Sequence, residues 1–289
     1  MGLGEFMKKI ITAVLALALT ATAANAQVVS QNNLAQKDLG WYTEIQGNGN
    51  ATVTGAKPRY GFGDVGFGSL QMHTTGKMED WVFAYRYADT NWGALSNLTS
   101  LSFDWFRSSN PNWDADVTKD GIQLYDWKYK SPAFRVFLDD NTEIVWENYF
   151  NRPINNDLSY VDSWQTSEMI NGNFWYRNAE GYSLSANPCS TNELPVWGGG
   201  VQALTISQIV SCYGDKQVMG VGVGLGSQWP YAYKGFVDNV KVSSGGTEVL
   251  NTNFDRGVPS TTVPEPSTYL MMIVGLVGLG MVGRRKKLT

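Results

Sequence analysis

Histidine is nearly absent from this chain: His73 is the single one among 289 residues. A Ser-His-Asp triad or a histidine-rich metal centre is therefore hard to build. Cysteine is almost as scarce. Cys189 and Cys212 stand 23 positions apart, and two thiols with one remote imidazole match neither zinc nor redox spacing. Charged residues make up only 17% of the chain and the net charge is −4, which favours neither nucleic acid nor an anionic membrane surface. Nucleophile elbows and zinc-protease motifs are missing. Gly198-Gly199-Gly200 and the Gly220, Gly222, Gly224 series lack the lysine and the strand-turn-helix setting of a phosphate loop. Convincing amphipathic helices are also lacking between residues 27 and 259, where Thr166 to Ile170 and Thr205 to Val210 could each form a turn or two.

What is abundant is glycine (31) and aromatic side chains (11 Trp, 14 Tyr, 12 Phe), in a chain that is 43% hydrophobic. Short alternating runs recur. Trp81, Phe83, Tyr85 and Tyr87 alternate with Val82, Ala84 and Arg86, and Leu101, Phe103 and Trp105 with Ser102 and Asp104. Phe134, Val136 and Leu138 alternate with Arg135 and Phe137, Met219, Val221, Val223 and Leu225 with glycines, and Phe236, Asp238, Val240 and Val242 with Val237, Asn239 and Lys241. Such runs predict strands with one buried face. Turn clusters separate them, among them Gly47-Asn48-Gly49-Asn50, Asp139-Asp140-Asn141 and Ser243-Ser244-Gly245-Gly246. Glycines spaced by two flatten one face of a strand, so that a ring or a sheet can lie close. The expected fold is all-β, an antiparallel two-sheet jelly-roll sandwich.

Both ends read as addresses. Met1 to Phe6 is an upstream extension or cloning scar, with Met7 as the natural start. Lys8-Lys9, the apolar Ile10 to Leu19 and the small-x-small Ala24-Asn25-Ala26 then form a secretory signal peptide cut by signal peptidase, with Gln27 first in the mature chain. At the other end come Pro264-Glu265-Pro266, an uncharged apolar stretch to Gly283, and Arg284-Arg285-Lys286-Lys287. A span needs about 17 to 25 apolar residues, so this is a short transmembrane helix, and its basic cluster stays cytoplasmic. Proline at 264 and 266 holds the tripeptide extended, as suits a peptide read in an enzyme's groove.

The whole tail resembles the PEP-CTERM sorting signal of Gram-negative bacteria. That resemblance implies recognition of Pro264-Glu265-Pro266 by a membrane-embedded exosortase. The chain would pass through an inner-membrane intermediate to the cell surface or extracellular matrix, with exopolysaccharide or biofilm as partner. The expected organisation is leader 1–26, β-sandwich 27–257, linker 258–263 and sorting signal 264–289. Outside the cytoplasm Cys189 and Cys212 are expected to form a disulfide, worth roughly 3 kcal/mol if unstrained.

Gly66-Phe67-Gly68-Ser69-Leu70, Leu101-Ser102-Phe103-Asp104-Trp105 and Gly235-Phe236-Val237-Asp238-Asn239-Val240 occur in that order. Together they are similar to the jelly-roll modules of laminin-B-like and carbohydrate-binding domains. Some such domains hold a structural calcium; Asp238 is the candidate here, with Glu44 or Asp64, against the plainer role of binding backbone amides at a strand turn. No other cofactor is expected. Aromatic side chains near loops (Trp92, Trp113, Trp127, Trp164, Trp175, Trp197, Trp229, Tyr231, Tyr233) are suited to stacking on sugars, and Trp229 with Tyr231 is the first place to look. Glu143-Ile144-Val145-Trp146-Glu147 resembles the catalytic strand of laminarinase-type glycoside hydrolases. That alternative needs the two carboxyls about 5 to 5.5 Å apart, whereas four residues of regular strand separate Cα atoms by about 13 Å. The reading preferred from the residues is a non-enzymatic, exported binding or adhesion protein.

Overall fold

The chain is seen in a computed structural model that describes residues 27–30, 34, 40–57, 68–77, 79–109, 118–119, 122–123, 130–151, 161–177, 204–226 and 232–255. The leader, Asp64, Trp113, Trp127, Cys189, Trp197, Trp229, Tyr231 and the whole sorting signal lie outside these residues.

Strands form where β-branched and aromatic residues alternate. In chain order they are β1 (Gln27–Val29), β2 (Trp41–Gln46), β3 (Asn50–Thr54), β4 (Ser69–Thr75), β5 (Trp81–Tyr87), β6 (Leu98–Arg107), β7 (Thr118–Lys119) and β8 (Ile122–Gln123). They continue as β9 (Ala133–Leu138), β10 (Glu143–Trp146), β11 (Trp164–Glu168), β12 (Asn173–Arg177), β13 (Leu204–Thr205), β14 (Val218–Leu225), β15 (Ala232–Ser244) and β16 (Thr247–Phe254). Among the described residues, short helices such as α1 (Asn148–Asn151) and α2 (Ile206–Tyr213) interrupt them. The hydroxyl of Thr205 accepts from the Gln208 amide while the Gln208 side chain caps the Thr205 amide, a reciprocal cap that starts α2. Of Thr166 to Ile170, where the sequence allows a turn or two of helix, Thr166 to Glu168 belong to β11, which pairs with β6, and Met169 and Ile170 enter a single 3-10 turn over Met169–Asn171.

One sheet runs β13-β12-β10-β9-β14-β5-β2. The other is forked around the 13-residue β15. Along one edge β15 pairs with β6; along the other it pairs first with β4 and then with β16. Strand β1 joins β16 in parallel, while the pairs within the seven-stranded sheet of β2 are antiparallel. The changeover on β15 falls at a bulge between Asp238 and Lys241, where Asn239 takes a left-handed φ of 48°. The buried Asp238 carboxylate accepts from the amides of Asn239 (2.9 Å) and Phe254 (2.8 Å), knitting β16 to β15 across the gap.

The two sheets pack face to face, the all-β sandwich that the alternation predicts. Phe103 of one sheet meets Phe134 (5.5 Å between centroids) and Trp146 (5.6 Å) of the other. Trp41 crosses similarly to Phe254 (5.1 Å), and its indole N–H donates to the Thr252 hydroxyl at 3.0 Å. Each large apolar side chain buried in this way contributes about 1.5–3 kcal/mol.

Bulges overturn two of the simple alternations. In β15, Val237, Val240 and Val242 share the core, and Phe236 stands on the other face against Phe106 at 5.6 Å. In β14, Val218 joins Val221, Val223 and Leu225 in the core, and a register shift turns Met219 outwards.

The hairpin from β2 to β3 is pinned by Asp80, which is 1% exposed. Its carboxylate accepts from the amides of Asn48 (2.8 Å) and Thr75 (2.9 Å) and from the Thr75 hydroxyl (2.5 Å). These bonds, the Asn48 amide foremost, hold its pKa down from 3.8 to about 2. A depressed carboxylate stabilises the fold above its unfolded pKa and loses that contribution as pH falls through its folded one. Thermal melts between pH 5 and pH 2 should therefore show a decline in the wild type that is shallower in Asp80→Asn. Parallel acid limbs in the two proteins would contradict this role.

Candidate functional site

Strand β5 faces the opposite way from what its aromatic content suggests. Val82 and Ala84, the small residues of the alternation, are the ones sealed in the main core. Trp81, Phe83, Tyr85 and Tyr87 instead line the outer face of the sheet. They are joined there by Tyr42 from β2 and Phe137 from β9. The rings form a connected platform: Trp81–Phe83 at 5.6 Å, Phe83–Tyr85 stacked at 5.9 Å, Tyr85–Phe137 at 5.5 Å and Tyr42–Tyr87 stacked at 6.1 Å. Phe83, Tyr85 and Phe137 are nearly covered by their neighbours, whereas Tyr87 is 39% exposed.

The glycine series of β14 creates the space. In register, Gly220 faces Tyr87, Gly222 faces Tyr85 and Gly224 faces Phe83. A Cβ on Gly222 would come within 2.8 Å of Tyr85 Cδ1, and one on Gly224 within 1.9 Å of Phe83 Cδ1. Bare backbone lets the rings lie over the strand rather than stand upright from it, which is the flattening that the spacing of these glycines predicts.

Charged groups border the platform. Glu143 sits between two guanidinium groups, with Arg135 Nη1 at 2.8 Å and Arg177 Nη2 at 2.6 Å. Arg135 also lies over the Phe83 ring, 3.8 Å from its centroid. Burial pushes the Arg135 guanidinium below the usual arginine range, and the Glu143 carboxylate pulls it back. Burial likewise raises the phenols of Tyr42, Tyr85 and Tyr87, and the charge of Glu44 raises each further. These hydroxyls stay protonated across the physiological range and serve as neutral donors and acceptors. Two adjoining hollows open on this face. One, of about 410 Å³, is lined by Glu44, Tyr85, Tyr87, Phe137, Asp139 and Asn141 among others. The second, of about 340 Å³, lies between Glu44, Trp81, Phe83, Arg135, Glu143 and Arg177. The turn carrying Asp139 and Asn141 is the one expected from Asp139-Asp140-Asn141, with Asn141 at a φ of 63°.

The residues singled out from sequence distribute differently. Trp92 lies in a loop but packs against the core, Trp164 opens β11, and Trp175 sits in the middle of β12. Tyr233 is buried, with its hydroxyl donating to the Lys130 carbonyl at 3.3 Å. Asp238 binds two backbone amides on one sheet, and Glu44 belongs to the other, so the described residues do not bring these two calcium candidates together. Cys212 occupies the last turn of α2. Strand β10 keeps unbroken register from Glu143 to Trp146, with Ile144 and Trp146 in the core, so no bulge draws Glu143 towards Glu147. The two carboxylates also belong to different cations, Glu147 pairing with Lys130 at 3.8 Å. Sequence reasoning missed the platform. The signal that could have found it is the pairing of two period-two series, rings on one strand and glycines on another.

Comparison with known proteins adds the following. Residues 262–287 match the PEP-CTERM protein-sorting motif. No curated protein matches the chain. Among solved structures, a family 11 carbohydrate-binding module of a Clostridium thermocellum cellulosomal cellulase is 11% identical, with 74% of this chain and 94% of that one covered at a TM-score of 0.36. An exo-β-agarase is 10% identical, with 70% and 23% covered at a TM-score of 0.35. A β-1,2-glucanase from Parabacteroides distasonis is 10% identical, with 78% and 25% covered at a TM-score of 0.32.

Proposed function

We propose that this chain, which carries a PEP-CTERM protein-sorting motif, is exported, processed by an exosortase and displayed at the cell surface or in the extracellular matrix, where its sandwich binds exopolysaccharide. Its role is retention or adhesion rather than bond cleavage. The observation that carries the binding reading is the ring platform on the outer face of the β2–β13 sheet. Sugar rings present apolar C–H faces rimmed by hydroxyls. The exposed Tyr87 and the half-buried Tyr42 and Trp81, backed by the covered rings and set beside neutral phenols, an asparagine and carboxylates, offer both halves of that chemistry. The width of the sheet suits an extended chain better than a single small molecule, since neighbouring strands lie about 4.8 Å apart and the platform spans β2, β5, β14 and β9.

Affinity electrophoresis through gels containing neutral polysaccharides tests this directly. The wild type should be retarded, and Tyr87→Ala should lose about tenfold in affinity, since truncating an aromatic anchor costs on the order of 2 kcal/mol or less at an open position. Trp229→Ala, in the loop favoured by the sequence alone, should lose less. Unretarded migration of the wild type in every gel, or full retention by Tyr87→Ala, would remove the proposal.

A further inference from the structure

We propose that Glu143 is a resident occupant of an anion site, filling the fork between Arg135 and Arg177 and so restricting the cleft to uncharged glycans. The inference rests on the glycan-binding reading of the same face. Paired guanidinium groups are a natural receptor for a planar carboxylate. Here that receptor already holds one, with contacts of 2.8 and 2.6 Å to the two Glu143 oxygens. A uronic acid would offer the same group from solution. It would have to displace a partner that is covalently part of the sheet and therefore present at high effective concentration. Glu44 and Asp139, which line the adjoining hollow, add repulsion towards any anion that approaches.

The arrangement has an accessible arm. Arg177 has a side chain 38% exposed, against 13% for Arg135 and 17% for Glu143. The site is thus open enough to meet a ligand once its own carboxylate is neutralised. Hydroxyl-bearing neutral sugars need no such vacancy, because they engage the rings and phenols beside it.

The test compares the full exported chain with Glu143→Gln and Glu143→Ala, using a neutral β-glucan and polygalacturonate as the two probes. The wild type should bind the β-glucan and leave polygalacturonate unbound. Both variants should gain about tenfold or more for polygalacturonate, in a manner that weakens with added salt. Adding Arg177→Gln to Glu143→Gln should abolish that gain. Wild-type binding of polygalacturonate as tight as that of the β-glucan overturns the inference while leaving the glycan site intact. Folded Glu143 variants, checked by their melts, that keep β-glucan and gain nothing overturn it in the same way. Wild type that binds neither probe overturns the inference, and the glycan reading with it if no other neutral polysaccharide retards the protein either.

Discussion

Gly224→Val should destabilise the sandwich by about 3 kcal/mol, the upper range for overpacking a filled site. The Cβ it introduces overlaps the Phe83 ring, 1.9 Å from its Cδ1. That ring is hemmed in on most sides, although it borders the second hollow. It is 3% exposed, stacked on Tyr85 at 5.9 Å, tilted against Trp81 at 5.6 Å and covered by the Arg135 guanidinium at 3.8 Å. Relief requires either Phe83 to leave its rotamer or β14 to part from β5, and both break the platform as well as the sheet. Gly222→Ala, whose Cβ meets Tyr85 at 2.8 Å where that of Gly224 comes within 1.9 Å of Phe83, should cost less. Urea titration of the two variants checks the order. A Gly224→Val protein with an unchanged midpoint would show that the rings do not lie over bare backbone.

Replacing both Pro264 and Pro266 with alanine should abolish sorting. The motif match covers these positions, and the two imino acids fix φ and remove amide donors, presenting Glu265 in one extended form. Alanine restores two amides and frees the backbone. The double variant should accumulate as uncut chain in the membrane fraction, with the released form reduced to background. Intact-mass measurement of the carboxyl terminus reads the result. Undiminished processing would mean that the tripeptide is not what the enzyme recognises.

How much of this could be read from the residues alone differs from strand to strand. Leu101, Phe103 and Trp105 and the run Phe134, Val136, Leu138 face the core as their alternation predicts, because regular strands keep a period of two. Strands β14 and β15 follow it on one side only, Val221, Val223 and Leu225 and Val240 and Val242 facing the core while Met219 and Phe236 do not, because one extra residue at a bulge inverts the side chains beyond it. Asn239 at φ 48° is a local hint of such a bulge, yet nothing in the sequence says which partner strand it will face. Strand β5 fails for another reason. Aromatic residues have the larger apolar surface and are the natural guess for the core. The interior at Val82 and Ala84 instead needs small volumes, and the large rings find cover across the glycine strand. That cover is a long-range pairing invisible to any local window. The sorting tail is legible because its elements are contiguous: stiff tripeptide, apolar run and basic cluster follow one another directly.

The forked sheet has a mechanical consequence. Strand β16 is the last strand among the described residues, and tension applied from its carboxyl end would enter at Asp255. There the load meets the bond from the Asp255 amide to the Val29 carbonyl (3.0 Å), then the Asp238 carboxylate at Phe254 and the ladders to β15 and β1. Rungs lying across the direction of pull are strained together in shear rather than peeled one after another. A sandwich anchored through its carboxyl end would thus resist traction from flow or from a bound polymer at the strand where such force arrives.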